Sequence, residues 1–231
     1  MNEQHADKKG VIAITGASSG IGEATAERLV NEGFSVALIA RTEAKLLQLV
    51  EKLGEGSAYP FVADVSNYEA LEQAFQAIEK RFGRIDGVFA NAGTGASSSG
   101  IEQGEVKDWD TMLGANVNGL LYTAKASLPT LRKTQGHFII TSSVAGRVAL
   151  KGSVYGASKW FAYGFGLNLA EEMREWGGRC TTICPGMVNT PFFDEPKEEK
   201  LQPEDIANAV VFALNASDSS CVREVYVMPT K

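Results

Sequence analysis

Short apolar runs alternate along the chain with longer stretches whose apolar residues recur with a helical period. The runs cover residues 11–15, 35–40, 59–65, 87–92, 137–143, 179–185 and 224–228. Most of them are continuously apolar, which is typical of strands that are buried on both faces of a parallel sheet. The pattern therefore predicts seven strands, each separated from the next by a helical segment.

The helical segments carry one-sided apolar stripes and recognisable ends. One stripe is formed by Leu71, Ala74, Phe75, Ile78 and Phe82. Gly33 and Gly83 stand where glycines end helices, and Pro203 suits the first turn of a late helix. Repeated strand–helix units predict an α/β fold, specifically a doubly wound, parallel, seven-stranded sheet with helices on both faces.

Length and composition indicate one globular domain. The chain has 231 residues, of which 44% are hydrophobic and 22% are charged, and these are ordinary values for a domain of this size. We expect residues 1–9 to form a flexible polar tail and residues 10–231 to form the domain. No run reaches the eighteen or so apolar residues of a membrane span, and the polar start lacks the apolar core of a secretory signal.

Charge and cysteine content exclude several classes of partner. The net charge of -6 argues against nucleic acid and against an anionic membrane, since both reward a basic surface. The three cysteines are interpreted as small apolar side chains in a reducing, cytoplasmic compartment. Neither of the two histidines lies close in sequence to a cysteine, so no metal site is predicted.

A glycine-rich turn joins the first strand to the next helical segment. It reads Gly16-Ala17-Ser18-Ser19-Gly20-Ile21-Gly22. Glycines allow a pyrophosphate to approach the backbone, and the helix that follows offers free N–H groups and the positive end of its dipole. The turn predicts a dinucleotide site. Its Gly-x3-Gly-x-Gly spacing leaves a purely structural tight turn as the alternative.

The end of the second strand bears on the choice of cofactor. An NAD site usually has an acidic residue there, whereas this strand is followed by Arg41 and Thr42. Arg41 can pair with a 2′-phosphate, helped by the hydroxyls of Ser18 and Thr42. NADP(H) is therefore favoured over NAD, and an ordinary solvated arginine is the alternative.

Tyr155 and Lys159 lie four residues apart, on one face of a predicted helix. A free tyrosine titrates near pH ~10, and a neighbouring cation lowers that pKa, which would suit proton transfer at neutral pH. The alternative is a tyrosine that packs on a lysine stem. Ser142 and Ser143 end the fifth predicted strand, where a serine can stabilise negative charge on a carbonyl oxygen.

Together these segments resemble the short-chain dehydrogenase/reductase family, in the branch built from one Rossmann domain. The resemblance extends over about residues 11–228 and rests on six motifs in the family's order. Among them, Asp64-Val65 matches an adenine-contacting pair, and Asn91-Ala92-Gly93 and Pro185-Gly186 match further cofactor-binding segments. The resemblance implies cofactor contacts from Gly16, Ser18, Ser19, Gly20, Ile21, Arg41, Thr42, Asp64, Val65, Asn91, Ala92, Gly93, Tyr155, Lys159, Pro185, Gly186, Val188 and Thr190.

The same resemblance implies a catalytic tetrad of Asn116, Ser142, Tyr155 and Lys159. Ser142 is preferred to Ser143 because it precedes Tyr155 by thirteen residues, the family's usual spacing. The implied activity is NADP(H)-dependent interconversion of a carbonyl and a secondary alcohol, with Tyr155 as general acid and base. A catalytically inactive dinucleotide-binding sensor or scaffold is the alternative, which the intact tetrad disfavours.

Substrate and assembly are less defined. We expect a small carbonyl or alcohol as substrate, in a pocket walled by residues 94–99, 144–148 and 187–193. The segment between Pro191 and Leu201 is shorter than the helical lid of many relatives. Relatives commonly pair through the two long helices, here about residues 119–133 and 156–175, so a homodimer or homotetramer is expected.

Overall fold

The computed structural model describes residues 9–54, 56–95, 100–217 and 219–230. A parallel sheet of seven strands has the order β3-β2-β1-β4-β5-β6-β7. The strands are β1 (Val11–Thr15), β2 (Ser35–Ala40), β3 (Ala58–Val62), β4 (Gly87–Ala90), β5 (His137–Thr141), β6 (Arg179–Pro185) and β7 (Glu224–Val227). This order confirms the predicted doubly wound sheet and places a switch point between β1 and β4, where such folds bind ligands.

Helices cover both faces of the sheet. One face carries α1 (Gly20–Asn31), α2 (Glu43–Leu53) and α7 (Pro203–Leu214), and the other carries α3 (Tyr68–Phe82), α5 (Gly119–Thr134) and α6 (Val154–Arg174). A further helix, α4 (Val106–Leu113), continues into α5 through the π-helical turn Gly114–Asn118. In β2, Ala37 and Ile39 pack into one core while Val36 and Leu38 pack into the other, which explains the continuously apolar runs.

The predicted helix ends are confirmed. Gly33 follows α1 with φ of 89° and Gly83 caps α3 with φ of 74°, a backbone region that favours glycine. Pro203 is the first residue of α7. These residues end or begin helices where the chain returns to the sheet.

Four strands end earlier than the sequence predicts. β3 stops at Val62 because its partner β2 stops at Ala40, and these two residues form the last pair of the ladder. β4, β5 and β7 likewise end before the predicted residue, at Ala90, Thr141 and Val227. The polar residues beyond these ends therefore leave the ladder and become available to line a cleft.

Two predicted segments lie partly outside the described residues. The parts concerned are residues 1–8 of the predicted tail and residues 96–99 of the predicted pocket wall. Lys9, the last residue of the predicted tail, is described, and its N–H donates to the carbonyl oxygen of Gly33 at 3.1 Å. Within the described ranges, no helix is long and apolar enough to cross a membrane.

Candidate active site

A cleft of about 1120 Å³ opens at the carboxyl ends of the strands. It runs across the switch point between β1 and β4, from the end of β2 to the segment after β6. All of the predicted cofactor-binding residues line it, together with Ser142. Asn116 is absent from this lining and lies behind the cleft, beside a small cavity.

The glycine-rich turn forms one wall of the cleft with tight backbone packing. A Cβ atom on Gly16 would lie 2.9 Å from the Cα of Ala92, and one on Gly22 would lie 2.2 Å from the carbonyl oxygen of Gly16. Gly20 begins α1 with φ of 56°. The turn therefore needs glycine for close approach, and the N-terminus of α1 borders the cleft. This cradle fits the pyrophosphate of a dinucleotide.

The triplet Asn91-Ala92-Gly93, which follows β4 in the middle of the cleft, is hydrogen-bonded to β1. The N–H groups of Asn91 and Ala92 donate to the hydroxyl of Thr15 at 3.1 and 3.2 Å. A Cβ atom on Gly93 would lie 3.0 Å from the Oδ1 atom of Asn116. The backbone at this triplet therefore forms the floor of the cleft, with Asn116 directly beneath it.

Two exposed cations line the cleft at the end of β2. Arg41 was predicted there, whereas Lys45, in the first turn of α2, was missed. Partial burial acts to raise the pKa of nearby Asp64, but hydrogen bonds from Ser66 and the charge of Arg41 hold it below its usual value. This end of the cleft therefore has a net positive wall that suits a phosphate group.

Lys159 is buried at the opposite end of the cleft. Its side chain is 6% exposed, and its ammonium donates to the carbonyl oxygen of Thr141 at 3.0 Å. The Nζ atom lies 5.7 Å from the ring centroid of Tyr155. Burial lowers the pKa of Lys159 to about 8, so this amine can exchange its proton near neutral pH.

The π-helical turn positions Asn116. Its Nδ2 group donates to the carbonyl oxygen of Thr94 at 2.9 Å and to the hydroxyl of Ser158 at 3.0 Å, while its Oδ1 atom accepts from the N–H of Thr94 at 2.9 Å. A cavity of about 10 Å³ lies between Asn116 and Lys159. Its size is close to that needed for one water molecule.

The pKa of Tyr155 differs from the sequence-based expectation. Burial raises it, and a hydrogen bond with the hydroxyl of Ser143 acts in the opposite direction. The structure does not show the predicted lowering by Lys159, because the ammonium lies over the ring face and donates to Thr141 instead. At neutral pH, the phenol is therefore the stable form of Tyr155.

The structure places the side chain of Ser143, rather than that of Ser142, beside Tyr155. The Ser142 hydroxyl is buried and donates to the main-chain carbonyl oxygen of Lys159 at 2.8 Å. The side chain of Ser143, one residue later, interacts with the phenol of Tyr155, and its hydroxyl donates to the carbonyl oxygen of Pro185 at 3.5 Å. The reason is geometric: successive residues at the end of a strand point to opposite sides, so only one of the two serines faces Tyr155.

Phe192 closes the cleft in front of Tyr155. The two ring centroids are 5.6 Å apart, and a Cβ atom on Gly95 would lie 3.0 Å from the Cζ atom of Phe192. Met187 and Phe193 also line this part of the cleft, as predicted, whereas Lys151 was missed. Five described residues of the predicted wall do not line the cleft: Ala145, Gly146, Arg147, Val148 and Asn189.

A family model described as short chain dehydrogenase matches residues 10–201. The chain belongs to the short-chain dehydrogenase/reductase family. An uncharacterised oxidoreductase of Staphylococcus aureus strain USA300 is 37% identical over 224 residues, which cover 95% of this chain and 96% of that protein.

Two solved structures are similar in fold to this short-chain dehydrogenase. An alcohol dehydrogenase of the archaeon Thermococcus sibiricus, complexed with 5-hydroxy-NADP, has a TM-score of 0.89 and 31% identity, covering 96% of this chain and 97% of that one. A 3-ketoacyl-(acyl-carrier-protein) reductase of Brucella melitensis, complexed with NADH, has a TM-score of 0.88 and 25% identity, covering 96% and 98%. The protein is thus an oxidoreductase of this family, and both of these neighbours are complexed with a nicotinamide dinucleotide.

Proposed function

We propose that this dehydrogenase interconverts a carbonyl compound and a secondary alcohol with NADPH and NADP⁺, using Tyr155 as proton donor and acceptor. The observation that carries the proposal is the layout of one cleft. Its far end bears Arg41 and Lys45, and its near end brings Ser143, Tyr155 and Lys159 together. When bound, NADPH supplies the hydride, and the protein supplies position and electrostatics.

Three parts of the chain would hold the cofactor. The turn from Gly16 to Gly22 would take the pyrophosphate, because its backbone leaves room and α1 begins there. Lys159 would bind the ribose hydroxyls beside the nicotinamide, and Thr190 would bind the carboxamide. The positive wall at Arg41 and Lys45 supports NADP(H) rather than NAD, since two cations there would bind the 2′-phosphate that only NADP(H) carries.

The residues around Tyr155 support the proton chemistry. Ser143 faces the phenol and would donate a hydrogen bond to the substrate oxygen as negative charge develops on it. Tyr155 would protonate that oxygen. The charged form of Lys159, whose pKa is about 8, would stabilise the phenolate that remains until a proton relay restores the phenol. The cavity beside Asn116 offers a place for a water molecule in this relay.

A homo-oligomer is part of the proposal. Trp160 and Leu167 on α6 and Leu121 on α5 are large apolar side chains that remain exposed. Gly164 lies on the same helix with open space beside it, so another backbone can approach closely there. Burial of these two long helices against a second copy would remove that apolar surface from water. Sedimentation analysis of the purified protein tests this point.

The function is tested by fluorescence titration with NADPH and NADH, followed by NADPH oxidation with a panel of an aliphatic aldehyde, 2,3-butanedione, a β-keto ester and an aryl ketone. We expect tighter binding of NADPH than of NADH and turnover of at least one carbonyl. Binding without any turnover, in either direction with the matching alcohols, would favour the inactive sensor or scaffold. Tighter binding of NADH would overturn the cofactor assignment.

A further inference from the structure

Two consecutive residues at the end of β5 bind both ends of Lys159. The Ser142 hydroxyl donates a hydrogen bond of 2.8 Å to the main-chain carbonyl oxygen of Lys159. The Lys159 ammonium donates a hydrogen bond of 3.0 Å to the carbonyl oxygen of Thr141. The end of β5 therefore fixes the main chain of Lys159 as well as the tip of its side chain.

The contact between Ser142 and Lys159 is buried and closely packed. Ser142 is 1% exposed, and its N–H donates to the carbonyl oxygen of Ile183 in β6 at 2.8 Å. A Cβ atom on Gly146 would lie 2.4 Å from the Lys159 carbonyl oxygen and 2.8 Å from the Ser142 hydroxyl. Any side chain at position 146 would displace the hydroxyl, so glycine there lets the strand end meet α6.

Helix α6 does not need this hydrogen bond to complete its own backbone. Lys159 lies inside α6, where its carbonyl oxygen accepts from the N–H four residues later. A carbonyl oxygen has a second lone pair, and the Ser142 hydroxyl uses it. The bond therefore links two elements of the fold, and the residue whose position it fixes is Lys159.

The titratable groups around this hydrogen bond leave Lys159 as the charged group that acts on Tyr155. The thiol of Cys184 in β6 has a side-chain hydrogen bond with Ser142, and burial raises its pKa to about 12. It is therefore neutral at neutral pH. Glu224 of β7 also contacts Cys184, but its carboxylate is paired with Arg147.

We propose that Ser142 is a positioning residue that holds Lys159 at a fixed place relative to Tyr155 and the ribose of bound cofactor. This inference rests on the proposed function, in which Lys159 stabilises the phenolate of Tyr155 and binds the ribose hydroxyls. The two adjacent serines then have different roles: Ser143 contacts the substrate, and Ser142 acts only through Lys159.

Ser142→Ala removes the link, and Ser127→Ala is the matched control. Ser127 is also fully buried, and its hydroxyl donates to the Thr123 carbonyl oxygen at 2.7 Å, but within α5 and away from the cleft lining. The pKa of Tyr155 is measured with NADP⁺ bound, from phenolate absorbance at 295 nm, as the difference between each protein and its Tyr155→Phe counterpart. NADPH affinity and thermal unfolding are measured alongside.

We expect Ser142→Ala to raise the pKa of Tyr155 by about one unit and to weaken NADPH binding about fivefold. Ser127→Ala should change neither, even where it lowers the melting temperature similarly. A Ser142→Ala protein that matches Ser127→Ala in titration and affinity would overturn the inference. Ser142→Cys, nearly isosteric but a weaker donor, replaces it if the alanine variant does not fold.

The same data separate this inference from the proposed function. If wild-type protein binds NADPH and loses turnover on Tyr155→Phe, the proposed function stands whatever Ser142→Ala does. An unshifted titration would then count against the positioning role of Ser142 alone.

Discussion

The side chain of Ser143 interacts with the phenol of Tyr155 and acts to lower its pKa. The hydroxyl of the adjacent Ser142 instead donates to the main-chain carbonyl oxygen of Lys159. We therefore expect Ser143→Ala to lower kcat for carbonyl reduction by about 100-fold, the usual cost of one oxyanion-stabilising donor. NADPH affinity should stay within about twofold because Ser143 polarises the substrate in the proposed mechanism.

Steady-state kinetics of Ser143→Ala, Ser142→Ala and Ser127→Ala check this expectation. Ser127→Ala, which alters a buried hydroxyl in α5, should retain wild-type kcat. If Ser143→Ala kept wild-type kcat while Ser142→Ala lost about 100-fold, the sequence-based choice of Ser142 would be right and the geometric assignment wrong.

The cations at the end of β2 give a second expectation. Arg41→Ala should weaken NADPH binding by about 10- to 100-fold, the range for losing a charged hydrogen bond, and leave NADH binding unchanged. Lys45→Ala should have the same selectivity with a smaller effect. Lys52→Ala is the control, because Lys52 lies on the same helix but pairs with Glu27 at 2.5 Å. Fluorescence titration of wild type and the three variants with each cofactor measures these eight affinities, and equal loss for NADPH and NADH would refute the 2′-phosphate role.

Phe192 gives an expectation about substrate size. Its ring lies 5.6 Å from that of Tyr155, so Phe192→Ala should open space beside the reacting carbonyl. We expect kcat/KM for an aryl ketone to rise about tenfold relative to that for 2,3-butanedione, the scale of a change in pocket size. Phe212→Ala, at an exposed position on α7, should not change the ratio. An unchanged ratio in Phe192→Ala would mean that Phe192 does not limit substrate size.

The sequence was sufficient to predict the sheet and most of the cleft. Continuous apolar runs, the glycines at 33 and 83 and the motif order are local signals, and each corresponds to a strand, a helix end or a cleft wall in the structure. The choice between Ser142 and Ser143 was not predictable in this way. It depends on where β5 leaves its ladder and on Gly146 packing against α6, which are tertiary relationships that residue spacing does not encode.

The pKa of Tyr155 could not be predicted from the sequence, for a related reason. Tyr155 and Lys159 are correctly spaced on one helix face, but burial of both groups and the hydrogen bond from Lys159 to Thr141 decide the outcome. Desolvation depends on every element that packs around the pair. Sequence spacing shows which groups can meet and leaves open how strongly they interact.

His137 at the start of β5 makes stability depend on pH. It is buried, its Nε2 atom contacts the Thr181 hydroxyl at 2.7 Å, and its Nδ1 atom has no hydrogen-bond partner among the described residues. Burial, with a contribution from the charge of Arg179, lowers its pKa from 6.5 to about 3. Between these values the unfolded chain binds more protons, so the stability present above pH 6.5 is lost as the pH falls.

We expect the protonation of His137 on unfolding to lower the free energy of unfolding by about 2 kcal/mol between pH 7 and pH 5. Urea denaturation at the two pH values, for wild type and His137→Gln, measures it. The glutamine cannot titrate but can still donate to Thr181, so its loss of stability should be smaller by that amount. Equal losses in the two proteins would show that His137 is not the responsible group.

The most direct test of the account is Tyr155→Phe, with Tyr163→Phe as the control on the same helix. Tyr163 contacts Glu224 at 3.4 Å rather than the cleft. We expect Tyr155→Phe to lower kcat by about 1,000-fold, within the range for loss of a general acid, while NADPH affinity stays within about threefold and Tyr163→Phe keeps wild-type turnover. If Tyr155→Phe retained wild-type turnover, Tyr155 would not be the proton donor and the proposed mechanism would be wrong.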